Sequence, residues 1–401
     1  MHQIATVPDF NQIIERRNSG SGKWDDADAL FGAEGVLPMW VADMDFLSPK
    51  PVLEALRQRV DHGVFGYPGS QRGPVLEAVT SWLQRRHGWA VEPQWLATTS
   101  GVVSGIHLAV RTFTDPGDEV IIQPPVYHPF FDCVRNHNRK LVENPLIVEH
   151  GRYRFDLEDL EKKARTARLL ILCSPHNPVG RVWTREELES VAAIAQRHGV
   201  LVISDEIHGD LIFNPHRLVP FGTLANIRPE NVITFLAPSK TFNLAGLAAS
   251  IAVIPDPDLR QRFVDNQRIL GVGKSNLLGL VALEAAYRHG EPWLEGLLDY
   301  LDGNARHLVE FARQEWPGIS VDLPEGTYLA WLDCRQLGLT EEELHSLFFQ
   351  QARVALNRGA QFGDGGRGHM RLNFGTPRQI LDQGLERIAR ALKERPAEGR
   401  G

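Results

Sequence analysis

ARLLILCSPHNPVGRVWTREELESVAAIAQRHGVLVISDEIH, residues 167–208, is the stretch on which the fold turns. It opens on one apolar run, ARLLILC (167–173), and nears its end on another, VLVISD (200–205). Neither run alternates polar with apolar residues, which is the habit of strands buried on both faces. Between them, TREELESVAAIAQRHG (184–199) carries apolar residues at helical spacing. Thr184 is placed to cap that helix, Glu187 completes a capping box three residues later, and Gly199 follows its end. Strand, crossover helix and strand make the unit of a parallel sheet.

The same alternation extends in both directions. EVIIQ (119–123), NVITFL (231–236) and SIAVI (250–254) read as further buried strands. PKPVLEALRQRV (49–60), GPVLEAVTSWLQRRHG (73–88) and SGVVSGIHLAVRTF (100–113) read as helices. The expectation is an α/β fold whose large domain, residues 49–286, holds a mostly parallel sheet flanked by helices. After about residue 286 the pattern changes to a long helical stretch (292–314), an alternating segment ISVDLPEGTYLAWLDC (319–334), a strand HMRLNFG (369–375) and a charged closing helix. Residues 1–48 with 287–401 are therefore expected to form a smaller α+β domain.

Composition narrows the function classes. A net charge of −7 and no basic run interleaved with aromatics argue against nucleic acid as a partner. The three cysteines, Cys133, Cys173 and Cys334, form no CxxC pair, so neither a disulfide framework nor a metal site is expected. With no apolar leader and no window of 18 apolar residues, the reading is a soluble cytoplasmic protein that does not engage a membrane.

Ligands of an open parallel sheet bind beyond the carboxyl ends of its strands, and those ends carry a coherent set of polar residues. Asp205 closes VLVISD; a buried strand-end acid is costly unless a cation meets it, such as a protonated pyridine nitrogen. A helix cap or a structural, salt-bridged acid is the competing reading. Lys240, in FLAPSKTFNLAG, lies thirty-five residues later in a stretch with no other charge from Asn231 to Ala249. Desolvation there would make its amine a nucleophile toward aldehydes, where an ordinary lysine would be solvated. Ser100, Gly101, Val102 and Val103 open a helix whose free amides suit a phosphate, with Ser239 near enough to add a hydroxyl. Asn177, in CSPHNPVGRVW, is either a turn residue or an amide for a phenolic ring oxygen, and Tyr127, in QPPVYHPF, is placed to stack on such a ring. Arg371, inside the apolar strand HMRLNFG, wants a carboxylate, from a substrate or from a structural ion pair.

Ser-Pro-His-Asn-Pro-Val-Gly (174–180), Ser-Asp-Glu-Ile-His (204–208), Ser-Lys-Thr-Phe-Asn (239–243) and Arg-Leu-Asn-Phe-Gly (371–375), in this order, resemble the fold-type I, class I/II aminotransferase superfamily of pyridoxal-5′-phosphate enzymes. LPMWVADMDF (37–46), FGYP (65–68), YHPF (127–130) and DEIH (205–208) resemble its MalY/PatB branch of cystathionine β-lyases; His208 stands where aminotransferases carry a tyrosine. The resemblance implies pyridoxal phosphate on Lys240 as a Schiff base, with Asp205 at the ring nitrogen, Asn177 at the ring oxygen, and Tyr127 stacked. His208 would line the cofactor, and the Val102 and Val103 amides with Ser239 would hold its phosphate. It further implies Arg371 on the α-carboxylate of a small amino-acid substrate, with Asn177 beside it. A homodimer with shared sites would bring Tyr67 of one subunit to the phosphate and substrate of the other. Residues 37–46, Trp40 among them, would shape the side-chain pocket. Two departures are evident. Ala237 stands where relatives carry Ser or Thr, and no arginine follows Lys240 within 241–249, so the phosphate cradle relies more on backbone. The activity implied is α,β-elimination from cystathionine or another cysteine S-conjugate, with amino transfer as the alternative on the same residues. A regulatory contact with another protein is a further possibility that the residues themselves leave open.

Overall fold

The computed structural model describes residues 8–69, 73–273 and 276–395. A seven-stranded sheet is built from β1 (Leu96–Thr99), β2 (Glu119–Ile122), β3 (Lys140–Glu143), β4 (Leu169–Cys173), β5 (Leu201–Asp205), β6 (Val232–Leu236) and β7 (Ser250–Val253). Their spatial order is β1-β7-β6-β5-β4-β2-β3. The pairs from β6 to β3 are parallel, as expected of strands joined by crossover connections. A second sheet is antiparallel: β8 (Ser320–Val321), β9 (Leu329–Asp333), β10 (Asn357–Arg358) and β11 (His369–Asn373), in the order β8-β9-β11-β10.

Strand β7 departs from the expected parallel arrangement. It runs antiparallel to both neighbours, β6 and β1. The connection from β6 holds only a four-residue helix and a single 3₁₀ turn, so the chain reverses rather than crossing over. An unalternating apolar run reports burial on both faces and says nothing about direction. Strands β1 and β3 lack that signature: β1 is LATT, and β3 is the partly exposed edge KLVE.

The helices include α1 (Lys50–His62), α2 (Gly73–His87), α3 (Val102–Phe113), α4 (Arg185–His198), α5 (Pro238–Thr241), α6 (Leu277–His289), α7 (Glu291–Glu315) and α8 (Arg378–Lys393). The capping box of α4 forms as read, with Thr184 accepting from the Glu187 amide and the Glu187 side chain from the Thr184 amide; Gly199 ends it at φ +66°. Such a cap contributes about 1 kcal/mol. Helix α6 lies on α1 and α2, where Trp82 stacks on Tyr287 with ring centroids 5.3 Å apart. Helix α3 presses against the sheet so closely that a side-chain carbon at Gly105 would sit 2.3 Å from the Phe235 ring. Among the described residues no helix is long and apolar enough to cross a membrane.

The N-terminal part of the chain joins both sheets. Leu37 and Pro38 pair in parallel with Val354 and Ala355, and the Asn373 amide donates to the Met39 carbonyl. From there residues 40–46 run as a strap. The Asn373 side chain holds the Val41 and Asp43 carbonyls from one side, and the Asn243 side chain holds the Met44 and Phe46 carbonyls from the other.

Candidate active site

A cavity of about 190 Å³ opens where β4, β5 and β6 end. Register places Cys173 beside Asp205 and Asp205 beside Phe235, so the strand ends form one floor. Lys240, Asp205, Asn177, Tyr127, His208, Val102, Val103 and Ser239 all line this cavity. Eight of the ten residues singled out from sequence therefore meet in one place.

Asp205 is 3% exposed, and its one hydrogen bond is from the Ile207 amide at 3.1 Å. Burial pushes its carboxyl up to about 7, against the pull of that amide and of Lys240. No ion pair neutralises it among the described residues, which removes the salt-bridged structural reading. A cationic partner inside the cavity would hold it ionised. Lys240 is half-buried because it faces the cavity, and its amine donates to the Ala42 carbonyl at 2.7 Å. Burial, reinforced by the Arg371 charge, pulls this amine down to about 8, so roughly a tenth of it is the neutral nucleophile at pH 7, far more than for an ordinary lysine.

Arg371 is 3% exposed at the centre of the small sheet, between Trp331 and Asn357 in register. Nη1 donates to Asn177 Oδ1 at 2.9 Å, and Nη2 to the Trp40 carbonyl at 3.0 Å and Asn357 Oδ1 at 2.5 Å; Nε has no partner. Among the described residues none of its partners is a carboxylate, so the structural ion pair is overturned. Burial lowers the guanidinium to about 10, leaving it a cation whose natural counter-ion must arrive from outside. Its plane lies over the Phe362 ring at 4.9 Å.

Helix α3 starts at Gly101 with no side-chain cap, so the amides of its first turn are open toward the cavity. Ala237, without a hydroxyl, is the residue that precedes α5. His208 is 3% exposed, with Nδ1 unpartnered and its ring edge-on to Tyr328 at 5.8 Å. Burial and then the charges of Lys240 and Arg371 hold it well below its usual range, as a neutral imidazole. Burial raises the Tyr127 hydroxyl, which stays protonated.

These features fit a planar phosphorylated pyridine aldehyde. An unpaired buried acid would meet its ring nitrogen and open helix amides its phosphate. The Asn177 amide hydrogens are free for its ring oxygen, because Oδ1 is committed to Arg371. Tyr67 is the exception: it is 83% exposed and does not reach the cavity of its own chain.

Sequence reasoning missed several residues. Asn357 fixes Arg371, Tyr328 donates to the Ala42 carbonyl at 2.8 Å, and Asp210 binds Thr241, Trp82 and His87 at 2.8, 3.1 and 2.8 Å behind the lysine turn. The available signal was a polar residue inside an apolar run, as with Asn357 in VALN and Tyr328 in TYLAW.

Comparison with known proteins agrees with this geometry. The model of the family described as aminotransferase class I and II matches residues 35–388. The chain belongs to that family. Within it, the chain is 43% identical to cystathionine β-lyase PatB of Bacillus subtilis, over 96% of this chain and 99% of that one. It is similar to the crystal structure of cystalysin from Treponema denticola, which contains pyridoxal 5′-phosphate, at a TM-score of 0.92 and 38% identity, covering 96% and 98% of the two chains. It also resembles the pyridoxal-phosphate-bound C–S lyase of Staphylococcus hominis, with a TM-score of 0.90 and 33% identity over 97% and 99%. The family's fold is the one described above, a mostly parallel sheet joined to a small antiparallel one.

Proposed function

We propose that the chain is a pyridoxal-5′-phosphate-dependent carbon–sulfur lyase. It would cleave cystathionine or a related cysteine S-conjugate by α,β-elimination to a thiol, pyruvate and ammonia. The observation that carries this reading is a cavity lined by a buried acid with no ion pair among the described residues and by a lysine lowered to about 8, next to an arginine that bonds the cavity residue Asn177 and has no carboxylate partner among the described residues. Full-length similarity to C–S lyases favours elimination over amino transfer.

The bound cofactor supplies an electron-accepting ring conjugated to the substrate amine. Arg371 orients the substrate through its α-carboxylate, exchanging neutral acceptors for an anionic one. Lys240, once its amine is free, takes the proton from Cα, and an amine lowered to about 8 is matched to that task near neutral pH. The Asp205 carboxylate holds a proton on the ring nitrogen, and Asn177 donates to the ring oxygen. The sulfur departs from Cβ with the electron pair of the C–S bond; water then releases ammonia and leaves pyruvate. Mixing the holoenzyme with cystathionine, with no 2-oxo acid added, should release pyruvate over many turnovers. Amino transfer to an added 2-oxo acid, with no pyruvate released from cystathionine, would instead establish an aminotransferase.

We further infer a homodimer in which Tyr67 completes the partner's site. Val64, Phe65 and Tyr67 are 62%, 57% and 83% exposed in one stretch, an apolar surface of the kind that a second subunit covers. Mixing Tyr67→Phe subunits with Lys240→Ala subunits then yields hybrids in which one site carries both defects and the other neither. Activity above that of either parent is expected. Hybrids that show only the parental average, with exchange confirmed by mass, would place Tyr67 within its own subunit. The domain division at about residues 48 and 286 belongs to the same reading, as does a cytoplasmic setting, which suits three buried free thiols.

A further inference from the structure

The strap 40–46 is a row of acceptors for both active-site cations. The Trp40 carbonyl takes Arg371 Nη2, and the Ala42 carbonyl, two residues on, takes Lys240 Nζ at 2.7 Å and the Tyr328 hydroxyl at 2.8 Å. Asn243, three residues after Lys240, pins the far end of the strap to the lysine turn.

Behind this row lies a four-charge clasp. Arg16 donates to Asp43 at 2.9 and 3.1 Å and to Asp45 at 2.6 Å. Lys23, only 2% exposed, donates to Asp45 at 2.8 Å and to the Asp43 carbonyl at 3.3 Å, and lies 3.5 Å from the Asp43 carboxylate. Trp24 Nε1 completes the shell of Asp45 at 2.8 Å. A lysine this deeply buried is expensive unless its charge is used. Two cations and two anions leave the clasp neutral as a whole.

We propose that Arg16 and Lys23 are positioning residues for the active-site amine: by clamping Asp43 and Asp45 they set the Ala42 carbonyl where it receives Lys240 Nζ whenever that amine is free. The proposal rests on the reading of Lys240 as the catalytic base. It assigns a task to the WVADMDF part of residues 37–46, whose two acids touch neither cavity nor substrate. Asp43 is also one of the charges that Lys240 feels directly. The clasp therefore does two things. It fixes the acceptor in space, and it cancels the negative field that Asp43 would otherwise cast on the amine.

Lys240 is faced by Arg371 from β11, Asp205 from the end of β5, His208 just beyond it, Tyr127, Tyr328 and Asp43. Of these, the clasp controls Asp43 alone. Unbalancing it in opposite senses should move the amine in opposite directions. Lys23→Met leaves a net negative charge by the strap and raises the amine's pKa. Asp43→Asn leaves a net positive charge and lowers it. Shifts of roughly half a unit to one unit are expected for a charge near but not touching the group. The measurement uses cofactor-stripped protein and follows the pH dependence of Lys240 acetylation by acetic anhydride, read by peptide mass spectrometry. In the holoenzyme, Lys23→Met should lower kcat about tenfold with KM changed less than twofold, the pattern of a displaced base, and Lys23→Arg should restore most of it. If Lys23→Met does not fold, Arg16→Gln, nearer the surface, carries the same sign. Shifts in the same direction for the two charge changes, or none in folded protein, would make the clasp merely structural and overturn the proposal. Should wild type release no pyruvate, the lyase reading fails, while the labelling result still decides where the clasp acts.

Discussion

Lys240→Ala is expected to reduce pyruvate release from a cysteine S-conjugate to background, a loss of at least about 10³-fold, because removing a positioned general base alone accounts for 10²–10⁴. On the proposed reading the same substitution also removes the covalent anchor of the cofactor, so absorbance from an imine-bound cofactor should vanish along with the activity. The residue lies in the cavity with its amine already lowered to about 8 and turned onto the Ala42 carbonyl. Among the described residues no other lysine lines that cavity. Added small amines such as methylamine should restore a fraction of the rate, since they replace the base but not the tether. A variant that keeps more than a few per cent of wild-type turnover without added amine would remove Lys240 from the mechanism.

Asp205→Ala is expected to cost about 10²-fold in kcat, the scale of losing one preorganised electrostatic partner in a water-poor site. Cofactor content should fall little, because the residues proposed to hold its phosphate, ring oxygen and aldehyde carbon are untouched. Asp205→Glu should be intermediate, since its longer stem misplaces the same charge. The acid is buried with a single backbone donor to its carboxylate and no ion pair among the described residues, so burial outweighs the groups that favour its charge. An unchanged kcat, measured at saturating substrate with cofactor occupancy confirmed, would return Asp205 to a structural part at the end of β5.

Much of this site could be read before any coordinates. Asp205, Asn177 and Lys240 were legible because strand ends can be located from apolar runs, and chemistry in such sheets gathers at those ends. Arg371 was legible as an arginine out of place in an apolar strand. Its neighbours were not: the Trp40 carbonyl and Asn357 come to it from other parts of the chain, and backbone acceptors leave no mark on a sequence. The direction of β7 was equally invisible, since burial pattern is blind to polarity and only the short connection after β6 decides it. Residues 37–46 stood out as a motif, yet the part that Asp43 and Asp45 play appears only once Arg16 and Lys23 are folded against them.

The unsatisfied groups of the cavity bear on how long the molecule survives in a cell. Among the described residues, Asp205 has no ion pair, His208 Nδ1 and Arg371 Nε have no partners, and the first helix turn at the cavity has no side-chain cap, costs that a bound ligand would relieve. A ligand that satisfies them binds the native state and not the unfolded chain, so at a hundred times its Kd it adds about 2.7 kcal/mol to the folding equilibrium. For a protein of ordinary marginal stability that is a large share of the total. Abundance is then expected to follow cofactor supply, because chain starved of cofactor would be open to proteases more often.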